Sequence, residues 1–411
     1  KKDDGGSRRA TPRLVRRLGV VGSGFMGAGI AGAAVSTAEV DVRLRDTELA
    51  RVGKGLKTAL DILGGRLRRR RITRYEYERL AALLSGTSDY SGFRRIDLVI
   101  EAVFEDVEVK RLVLAEVEAV TDPETIFATN TSTIPIEQIA ANATRPGRVL
   151  GMHFFSPVDR MPLLEVIPTG RTDPEAVATA VHFGRKLGKT VIVVKDRPGF
   201  WVNRILTPYM NEAGRMLVEG TPIEVLDRVM TRFGFPVGPI ALLDEVGLDV
   251  AAKAGEVMFG AFGDRLKPAE AVATMLGDRR LGRKSGRGFY HYHHGHKTGV
   301  DERVYDLLGI RPQKRSSPET IEQRLVYSML NEAALAESEG VVRSPRDGDL
   351  GAIFGIGFPP FRGGPLRMVD DLGAWRVIGV LRDLAATYGE RFAPAPRLVE
   401  MAERGARYYP A

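Results

Sequence analysis

Residues 17–27 read Arg-Leu-Gly-Val-Val-Gly-Ser-Gly-Phe-Met-Gly, and this stretch decides the fold class. Its short apolar run predicts a buried strand, after which Gly22, Gly24 and Gly27 follow in the spacing of a dinucleotide-binding turn. The first glycine permits the tight turn, the second lets a pyrophosphate approach the backbone, and the third lets the following helix pack against the strand. The stretch therefore predicts a Rossmann-type site with the pyrophosphate at the helix N-terminus.

A second strand pattern, residues 40–44, ends just before an acidic residue, Asp46. A carboxylate at this place accepts hydrogen bonds from the adenosine ribose hydroxyls and repels a 2′-phosphate, so Asp46 predicts NAD as the cofactor. The neighbouring Arg45 keeps NADP open as an alternative. Phe25 and Met26, which stand between the second and third glycines, are also expected to line the cofactor.

The alternation of short apolar runs with helix-like segments predicts the domain organisation. It continues to residue 197 and predicts a parallel sheet with helices on both faces. Beyond it, strand patterns nearly vanish and helical periods dominate. We expect an α/β Rossmann-type NAD-binding domain followed by two duplicated all-α C-terminal domains. The expected segments are a tail or linker over 1–16, the NAD-binding domain over 17–197, and helical domains over 198–310 and 311–411.

The duplication is predicted from an internal repeat in the helical half. Asn211-Glu212-Ala213 recurs as Asn331-Glu332-Ala333, and Gly234-Phe235-Pro236 recurs as Gly357-Phe358-Pro359. The matching segments keep their order along the chain, which indicates two copies of one helical unit. Two such copies in one chain can pack together as the subunits of a dimer would, so the sequence leaves the oligomeric state open.

Composition excludes several classes of protein. The chain has 411 residues, 44% of them apolar and 27% charged, which is typical of a globular protein with more than one domain. No uncharged apolar stretch approaches the roughly 18–20 residues of a membrane span. There is no cysteine, which excludes disulfides, thiolate metal sites and cysteine nucleophiles. We expect a cytoplasmic protein without stable membrane insertion.

A dense basic run, Arg66–Arg74, holds six arginines and no acid, in a chain of net charge +8. It lies in a helical pattern that extends from about Leu49 to Leu84, with a break expected at Gly64–Gly65. The run can be a solvated helix face, a dock for a small phosphorylated ligand, or a nucleic-acid contact. No aromatic residue interleaves it, so we do not expect nucleic acid as a partner.

Two residues in neighbouring apolar runs suggest the chemistry. His153 follows the run 149–152, and Glu165 lies within the run 163–167. A carboxylate inside an apolar strand is costly without a partner, and an imidazole on the next strand can supply one. Beside a nicotinamide, such a pair could serve as the base that alcohol oxidation needs, although a structural histidine is the alternative.

The remaining histidines carry weaker signals. The stretch His291–His296 could bind a metal, but an exposed loop is the favoured interpretation, and His182 is expected to be structural. No metal site is predicted.

The chain resembles the L-3-hydroxyacyl-CoA dehydrogenase family of fatty acid β-oxidation. It is most similar to the dehydrogenase half of the multifunctional enzymes, the trifunctional-protein α-subunit and its bacterial counterparts. The resemblance extends from residue 17 to about residue 375. Its segments are GVVGSGFMGAGIA, DLVIEAVFEDVEVK, TNTSTIPI, HFFSPVDRMPLLEVI, DRPGFWVNRIL, FGFPVGPIALLDEVGLDV, GRKSGRGFYHY and RSPRDGDLGAIFGIGFPPFRGGP.

This resemblance implies NAD-dependent oxidation of (S)-3-hydroxyacyl-CoA to 3-oxoacyl-CoA. It implies that His153 is the general base for the 3-hydroxyl proton and that Glu165 orients it. The other roles that it implies are contacts to the reacting oxygens from Ser132 and Asn203, and cofactor contacts from Glu105, Lys110, Ser132, Ser156 and Lys284. For Arg69 and Arg70, in the basic run, our hypothesis is contact with the coenzyme A phosphates.

The resemblance also bears on partners and on alternatives. It implies an acyl-CoA substrate, and it raises a thiolase subunit as a partner. The hydratase region of the multifunctional relatives has no counterpart, since 16 tail-like residues precede the first strand, so we expect no hydratase activity from this chain. The alternatives are a β-hydroxyacid dehydrogenase, an NADP-linked biosynthetic 3-hydroxybutyryl-CoA dehydrogenase, and a non-catalytic NAD-binding structural protein.

Overall fold

The computed structural model describes residues 10–313 and 316–410 and divides into two compact units. The first unit ends at Arg197 and the second begins at Pro198. Residues 1–9 of the expected tail lie outside the described residues.

Residues 10–16, the rest of the expected tail, form no helix or strand, yet they pack against the first unit. The backbone N–H of Arg13 donates to Thr179 Oγ1 at 3.0 Å, and Val15 is buried. This contact has no periodic pattern in the sequence, which explains why the segment reads as a linker.

The first unit is a sheet with helices on both faces. Its strands are β1 (Arg17–Val21), β2 (Asp41–Arg45), β3 (Leu84–Thr87), β4 (Leu98–Glu101), β5 (Ile126–Thr129), β6 (Val149–Phe154), β7 (Leu163–Pro168) and β8 (Thr190–Val193). Its helices are α1 (Phe25–Ala33), α2 (Leu49–Arg68), α3 (Arg74–Ala81), α4 (Val107–Val120), α5 (Ile136–Ile139) and α6 (Pro174–Lys186). Among the described residues the eight strands take the order β3-β2-β1-β4-β5-β6-β7-β8.

The Rossmann-type fold class is confirmed, with one correction to the parallel sheet. β4, β5 and β6 are buried along their whole length, as expected of strands covered on both faces. Every neighbouring pair is parallel except β6 and β7, which are antiparallel. A short connection joins these two strands directly, which a parallel pair does not allow.

The predicted helix break at Gly64–Gly65 is wrong. Helix α2 runs through both glycines to Arg68, and the break falls at residues 69–73. Glycine inside a helix costs only about 1 kcal/mol relative to alanine, which the buried face of α2 outweighs. The stronger signal is Thr73, whose side chain forms a capping box with Glu76 at the start of α3.

The second unit is helical. Its helices are α7 (Val202–Val218), α8 (Ile223–Phe233), α9 (Pro239–Val246), α10 (Leu248–Phe262), α11 (Glu270–Gly277), α12 (Arg303–Leu307), α13 (Pro318–Ser338), α14 (Pro345–Ile356), α15 (Pro365–Leu372), α16 (Ala374–Tyr388) and α17 (Pro396–Arg404). A hairpin of β9 (Tyr290–His293) and β10 (His296–Val300) stands between α11 and α12. The histidine-rich stretch, expected to be an exposed loop, forms this hairpin.

The sequence repeat is also a structural repeat. In the first copy, the Asp227 carboxylate accepts the N–H groups that begin α9 and the hydroxyl of Tyr290 at 2.7 Å. In the second copy, the Asp349 carboxylate accepts the N–H groups that begin α15 and the hydroxyl of Tyr409 at 2.6 Å. In both copies, therefore, an equivalent buried aspartate caps an equivalent helix and accepts a hydrogen bond from an equivalent tyrosine.

The two copies meet where α7 packs against α13. Buried arginines cross this interface reciprocally: Arg204 of α7 contacts Glu332 at 2.9 Å, and Arg324 of α13 contacts Glu212 at 2.9 Å. All four side chains are almost fully buried. Each copy thus supplies the cation for an acid of the other, as the subunits of a symmetric dimer do.

Candidate active site

The candidate residues of the first unit gather at one edge of the sheet. β1, β4, β5 and β6 are parallel, so their carboxyl ends meet at the same edge. The chain order reverses on either side of β1, and this switch point is where open α/β sheets bind ligands. Gly22 follows β1, Glu101 ends β4, Thr129 ends β5, and His153 lies near the end of β6.

The glycine turn fits a pyrophosphate. Gly22 has φ of 97°, which favours glycine, and a Cβ on Gly27 would lie 1.8 Å from the Gly22 carbonyl oxygen. A Cβ on Gly24, in contrast, would meet nothing within 4 Å. The first and third glycines are therefore required by the fold itself, whereas the space beside Gly24 at the N-terminus of α1 is left for a ligand.

Substitution of the second and third glycines should separate these roles. Gly24→Ala is expected to weaken NADH binding by about tenfold or more while changing the free energy of unfolding by less than about 1 kcal/mol. Gly27→Ala is expected to cost about 1–3 kcal/mol of stability, because its methyl group overlaps the Gly22 carbonyl. Fluorescence titration with NADH and chemical denaturation measure the two effects. NADH binding by Gly24→Ala at native affinity would contradict the assignment.

Asp46 is fixed beside this turn. One carboxylate oxygen accepts the Ser23 N–H at 2.8 Å and the Ser23 hydroxyl at 2.7 Å, and the other accepts the Thr47 N–H at 2.8 Å. Burial raises the pKa of Asp46, but these hydrogen bonds outweigh it and bring the pKa below its ordinary value. An ionised acid therefore stands at the turn, as a ribose acceptor requires. Phe25, the first residue of α1, is 65% exposed.

His153 and Glu165 are direct cross-strand partners on β6 and β7. The His153 Nδ1 lies 2.7 Å from Glu165 Oε2, and Glu165 is fully buried. A carboxylate at this distance accepts the Nδ1 proton, so the neutral ring carries its acceptor lone pair on Nε2. The Phe155 ring lies 4.4 Å from the imidazole, centroid to centroid. The structure thus brings together the imidazole and the carboxylate that the apolar runs predict as partners.

A second group of polar residues holds Ser132. The Glu105 carboxylate accepts the Ser132 N–H at 2.8 Å, the Ser132 hydroxyl at 3.2 Å and the Thr131 hydroxyl at 2.6 Å. Burial raises the pKa of Glu105, but Lys110 and these hydrogen bonds outweigh it and lower the pKa. Ser132 is consequently held in one orientation by an ionised acid.

Lys110 lies within this group with no exposed side-chain surface. Its Nζ is 2.8 Å from Glu101 Oε1 and 3.4 Å from Glu105 Oε2. Glu101 also accepts the Thr129 hydroxyl at 2.6 Å. Sequence reasoning missed Glu101, although it is, like Glu165, an acid within a run of buried apolar residues.

The other predicted site residues belong to other elements. Asn203 is in α7 of the second unit, and Lys284, also in the second unit, pairs with Asp249 at 2.6 Å. Ser156 is exposed after β6. Arg69 and Arg70 are exposed beyond the end of α2, and Arg69 lines a cavity of about 390 Å³.

The described residues contain neither a candidate metal site nor a candidate membrane-spanning helix. Within residues 10–313 and 316–410, no three His, Asp or Glu side chains are grouped as metal ligands, and His291 instead lies 3.5 Å from Asp301. None of the helices in that part of the chain has the length and apolarity to cross a bilayer.

Two family models match most of the chain. The family model described as the NAD binding domain of 3-hydroxyacyl-CoA dehydrogenase matches residues 17–197, and the model of its C-terminal domain matches residues 199–292. The chain is similar to the crystal structure of Escherichia coli 3-hydroxybutyryl-CoA dehydrogenase, with TM-score 0.84 and 29% identity over 95% of this chain and 99% of that one.

Two further structures cover different shares of the chain. (S)-3-hydroxybutyryl-CoA dehydrogenase from Ralstonia eutropha is 37% identical with TM-score 0.65, over 68% of this chain and 100% of that one. The dehydrogenase part of Caenorhabditis elegans multifunctional enzyme 1 has TM-score 0.67 at 24% identity, over 97% of this chain and 92% of that one, and shows the shared fold. The chain belongs to the 3-hydroxyacyl-CoA dehydrogenase family, as an NAD-dependent oxidoreductase.

Proposed function

We propose that the protein oxidises (S)-3-hydroxyacyl-CoA to 3-oxoacyl-CoA in fatty acid β-oxidation, with His153 as the general base. The observation that carries this proposal is the 2.7 Å contact of His153 with the buried Glu165, at the sheet edge that bears the glycine turn. NAD, when bound, accepts the hydride from C3. His153 Nε2 takes the hydroxyl proton, and the ionised Glu165 stabilises the imidazolium that results.

The hydroxyl of Ser132 is proposed to hydrogen-bond the reacting oxygen, together with the Asn203 amide. Both groups donate and accept without changing charge, which suits a substrate that passes from alcohol to ketone. Glu105 supports this role because it fixes the Ser132 backbone and hydroxyl together. Contacts to the cofactor are proposed for Phe25, Met26, Glu105, Ser156 and Lys284. Lys110, predicted as a further contact, has no exposed side-chain surface and is proposed to act through Glu105 instead.

The coenzyme A phosphates are proposed to contact the basic run. Two of its arginines are occupied elsewhere, since Arg66 donates to the Ser36 carbonyl and Arg74 pairs with Glu78 at 2.9 Å. Arg68 and Arg69 line the 390 Å³ cavity, with Asp61 and Asp159 also in its wall. Arg160, from the loop after β6, lines it as well. Three guanidinium groups on one concave surface favour a phosphorylated ligand despite the two acids. Arg70, the other predicted contact, is not among the cavity-lining residues.

Charge reversal at Arg69 should show this role. Arg69→Glu is expected to raise KM for 3-hydroxyacyl-CoA by about tenfold or more, because a phosphate contact from arginine is worth about 1.5–3 kcal/mol. For the corresponding N-acetylcysteamine or pantetheine thioester, which lacks the nucleotide phosphates, KM should change little. Arg74→Glu is the matched control from the same run and is expected to leave both KM values nearly unchanged. Equal increases for the two substrates would contradict the contact.

A substrate panel tests the proposed activity. Reduction of NAD is measured with (S)-3-hydroxyacyl-CoAs of C4 to C16, with NADP and with free 3-hydroxy acids in parallel. Turnover of the thioesters with NAD is expected. Turnover limited to NADP would indicate the biosynthetic alternative, turnover of the free acids alone a β-hydroxyacid dehydrogenase, and no turnover a structural protein. The relatives named as 3-hydroxybutyryl-CoA dehydrogenases make the C4 substrate the first to assay.

The proposal also concerns the hydratase and thiolase steps of β-oxidation. We propose dehydrogenase activity without hydratase activity for this polypeptide, with a thiolase subunit as a partner that consumes the 3-oxoacyl-CoA product. Incubation of the pure chain with crotonyl-CoA is expected to give no hydration. Hydration by the pure chain would contradict this.

A further inference from the structure

Arg45 lies beside Asp46, at the position where residues of a dinucleotide site distinguish NAD from NADP. Its side chain, however, already contacts other side chains of the protein. It is the last residue of β2, directly before Asp46. Its guanidinium lies over the Tyr90 ring, 4.4 Å from the centroid, and its Nη2 is 3.9 Å from Glu116 Oε2. The Tyr90 hydroxyl donates to the same Glu116 carboxylate at 2.8 Å. Three side chains from β2, the loop after β3, and α4 thus close on one another.

The position of Glu116 shows in which direction Arg45 is drawn. Helix α4 connects the parallel strands β4 and β5, so it begins at the carboxyl edge of the sheet and runs back toward the amino edge. Glu116 lies nine residues after the first residue of α4, about 13 Å along the helix axis at 1.5 Å per residue. Asp46, in contrast, contacts Ser23 of the glycine turn at the carboxyl edge. The Arg45 guanidinium is therefore held away from the edge at which Asp46 stands.

We propose that Tyr90 and Glu116 are specificity-determining residues that withhold Arg45 from the 2′-phosphate of a dinucleotide, so that the site selects NAD. This inference rests on the proposed role of Asp46 as the ribose acceptor. A nearby arginine is what accommodates a 2′-phosphate in related sites, and here the sequence supplies one beside the acid. Two devices then exclude NADP: the charge of Asp46 repels the phosphate, and the side chains around Arg45 remove the cation that would attract it.

The arrangement can be undone by substitution. The separation of 3.9 Å between Arg45 and Glu116 is longer than a hydrogen bond, so the guanidinium is held by charge and by the aromatic ring. Burial and the neighbouring Glu116 raise the pKa of Tyr90 well above its ordinary value, so the phenol stays a donor to Glu116. Loss of the Glu116 charge removes the acid toward which Arg45 is drawn and frees it to turn toward the carboxyl edge.

The test compares NADH and NADPH affinities of the full chain by fluorescence titration without acyl-CoA. Asp46→Ser alone is expected to weaken NADH binding and to raise NADPH affinity modestly. Relative to Asp46→Ser alone, Asp46→Ser with Glu116→Gln is expected to raise NADPH affinity by about a further tenfold, the effect of one arginine–phosphate contact. Its NADH affinity should equal that of Asp46→Ser within about twofold. Asp46→Ser with Tyr90→Leu should act in the same direction.

Two controls make the result specific. Asp46→Ser with Glu108→Gln makes the same charge change on the same helix, at an acid that pairs with Arg111, and should give no gain. The gain seen with Glu116→Gln should disappear when Arg45→Met is added. An equal gain from Glu108→Gln, or a gain that persists without Arg45, would overturn the proposal. If Asp46→Ser leaves both affinities at the native values, the role of Asp46 fails and the inference falls with it.

Discussion

His153→Ala is expected to lower turnover by at least about two orders of magnitude while NADH binding survives. A positioned general base contributes about 10²–10⁴-fold, or roughly 3–5 kcal/mol of barrier. His153 is on β6, whereas the glycine turn and Asp46 follow β1 and β2, and β4 and β5 stand between these strands and β6. The chemistry and the binding of the adenosine half therefore depend on different parts of the sheet. Steady-state kinetics with NAD and a 3-hydroxyacyl-CoA measure the first, and NADH titration measures the second.

The buried Glu165 makes a second variant necessary. Without the imidazole its carboxylate loses a 2.7 Å hydrogen bond in a fully buried place, which costs about 1–3 kcal/mol of stability. His153→Asn retains an N–H donor for Glu165 and should lose turnover equally with a smaller loss of stability. His182→Ala, at an exposed histidine of α6, is the matched control and should keep native turnover. Near-normal turnover in either His153 variant would remove this residue from the mechanism.

The same pair shows how far the sequence leads. The apolar run around Glu165 predicts a partner, and His153 is the predicted partner, because an unpaired buried carboxylate is costly. Their direct register, however, depends on the antiparallel pairing of β6 with β7. The regular alternation of strands and helices predicts parallel pairing instead. Only the short connection between these two strands indicates that they are antiparallel. The residues of the pair were therefore predictable, and their geometry was not.

Elements whose sequences lack a regular hydrophobic pattern were not predicted. β3 reads Leu-Ser-Gly-Thr and pairs with β2, so its strand conformation comes from the neighbouring backbone and not from its own side chains. Glu101 was missed for another reason. It ends a strand of four residues, and its partner Lys110 lies one helix turn into α4, where an i, i+9 spacing has no local pattern. Such buried ion pairs become visible only when the strand and the helix are packed together.

Glu212→Ala is expected to destabilise the second unit by about 3–5 kcal/mol, the cost of removing one partner from a buried ion pair. The Glu212 carboxylate contacts Arg391 at 2.6 Å, Arg324 at 2.9 Å and Arg215 at 3.0 Å. Burial raises the pKa of Glu212, but the three arginines outweigh it and lower the pKa. Arg324 is also fully buried, and without Glu212 it would keep only the half-exposed Glu219 as its acid. Chemical denaturation measures the loss.

A double-variant cycle distinguishes this cause from loss of packing. Arg324→Met added to Glu212→Ala removes the buried cation that has lost one of its two acids, and it should restore part of the lost stability, whereas independent sites would add their losses. Glu400→Ala, at a half-exposed acid that pairs with Arg397 and Arg404 on its own helix, is the control and should stay within about 0.5 kcal/mol. A Glu212→Ala loss as small as that of the control would contradict the prediction. Because Arg204 with Glu332 and Glu339 repeats the arrangement of Arg324 with Glu212 and Glu219, each copy carries a buried arginine whose acids belong to the other copy. The two copies should therefore unfold together in one transition.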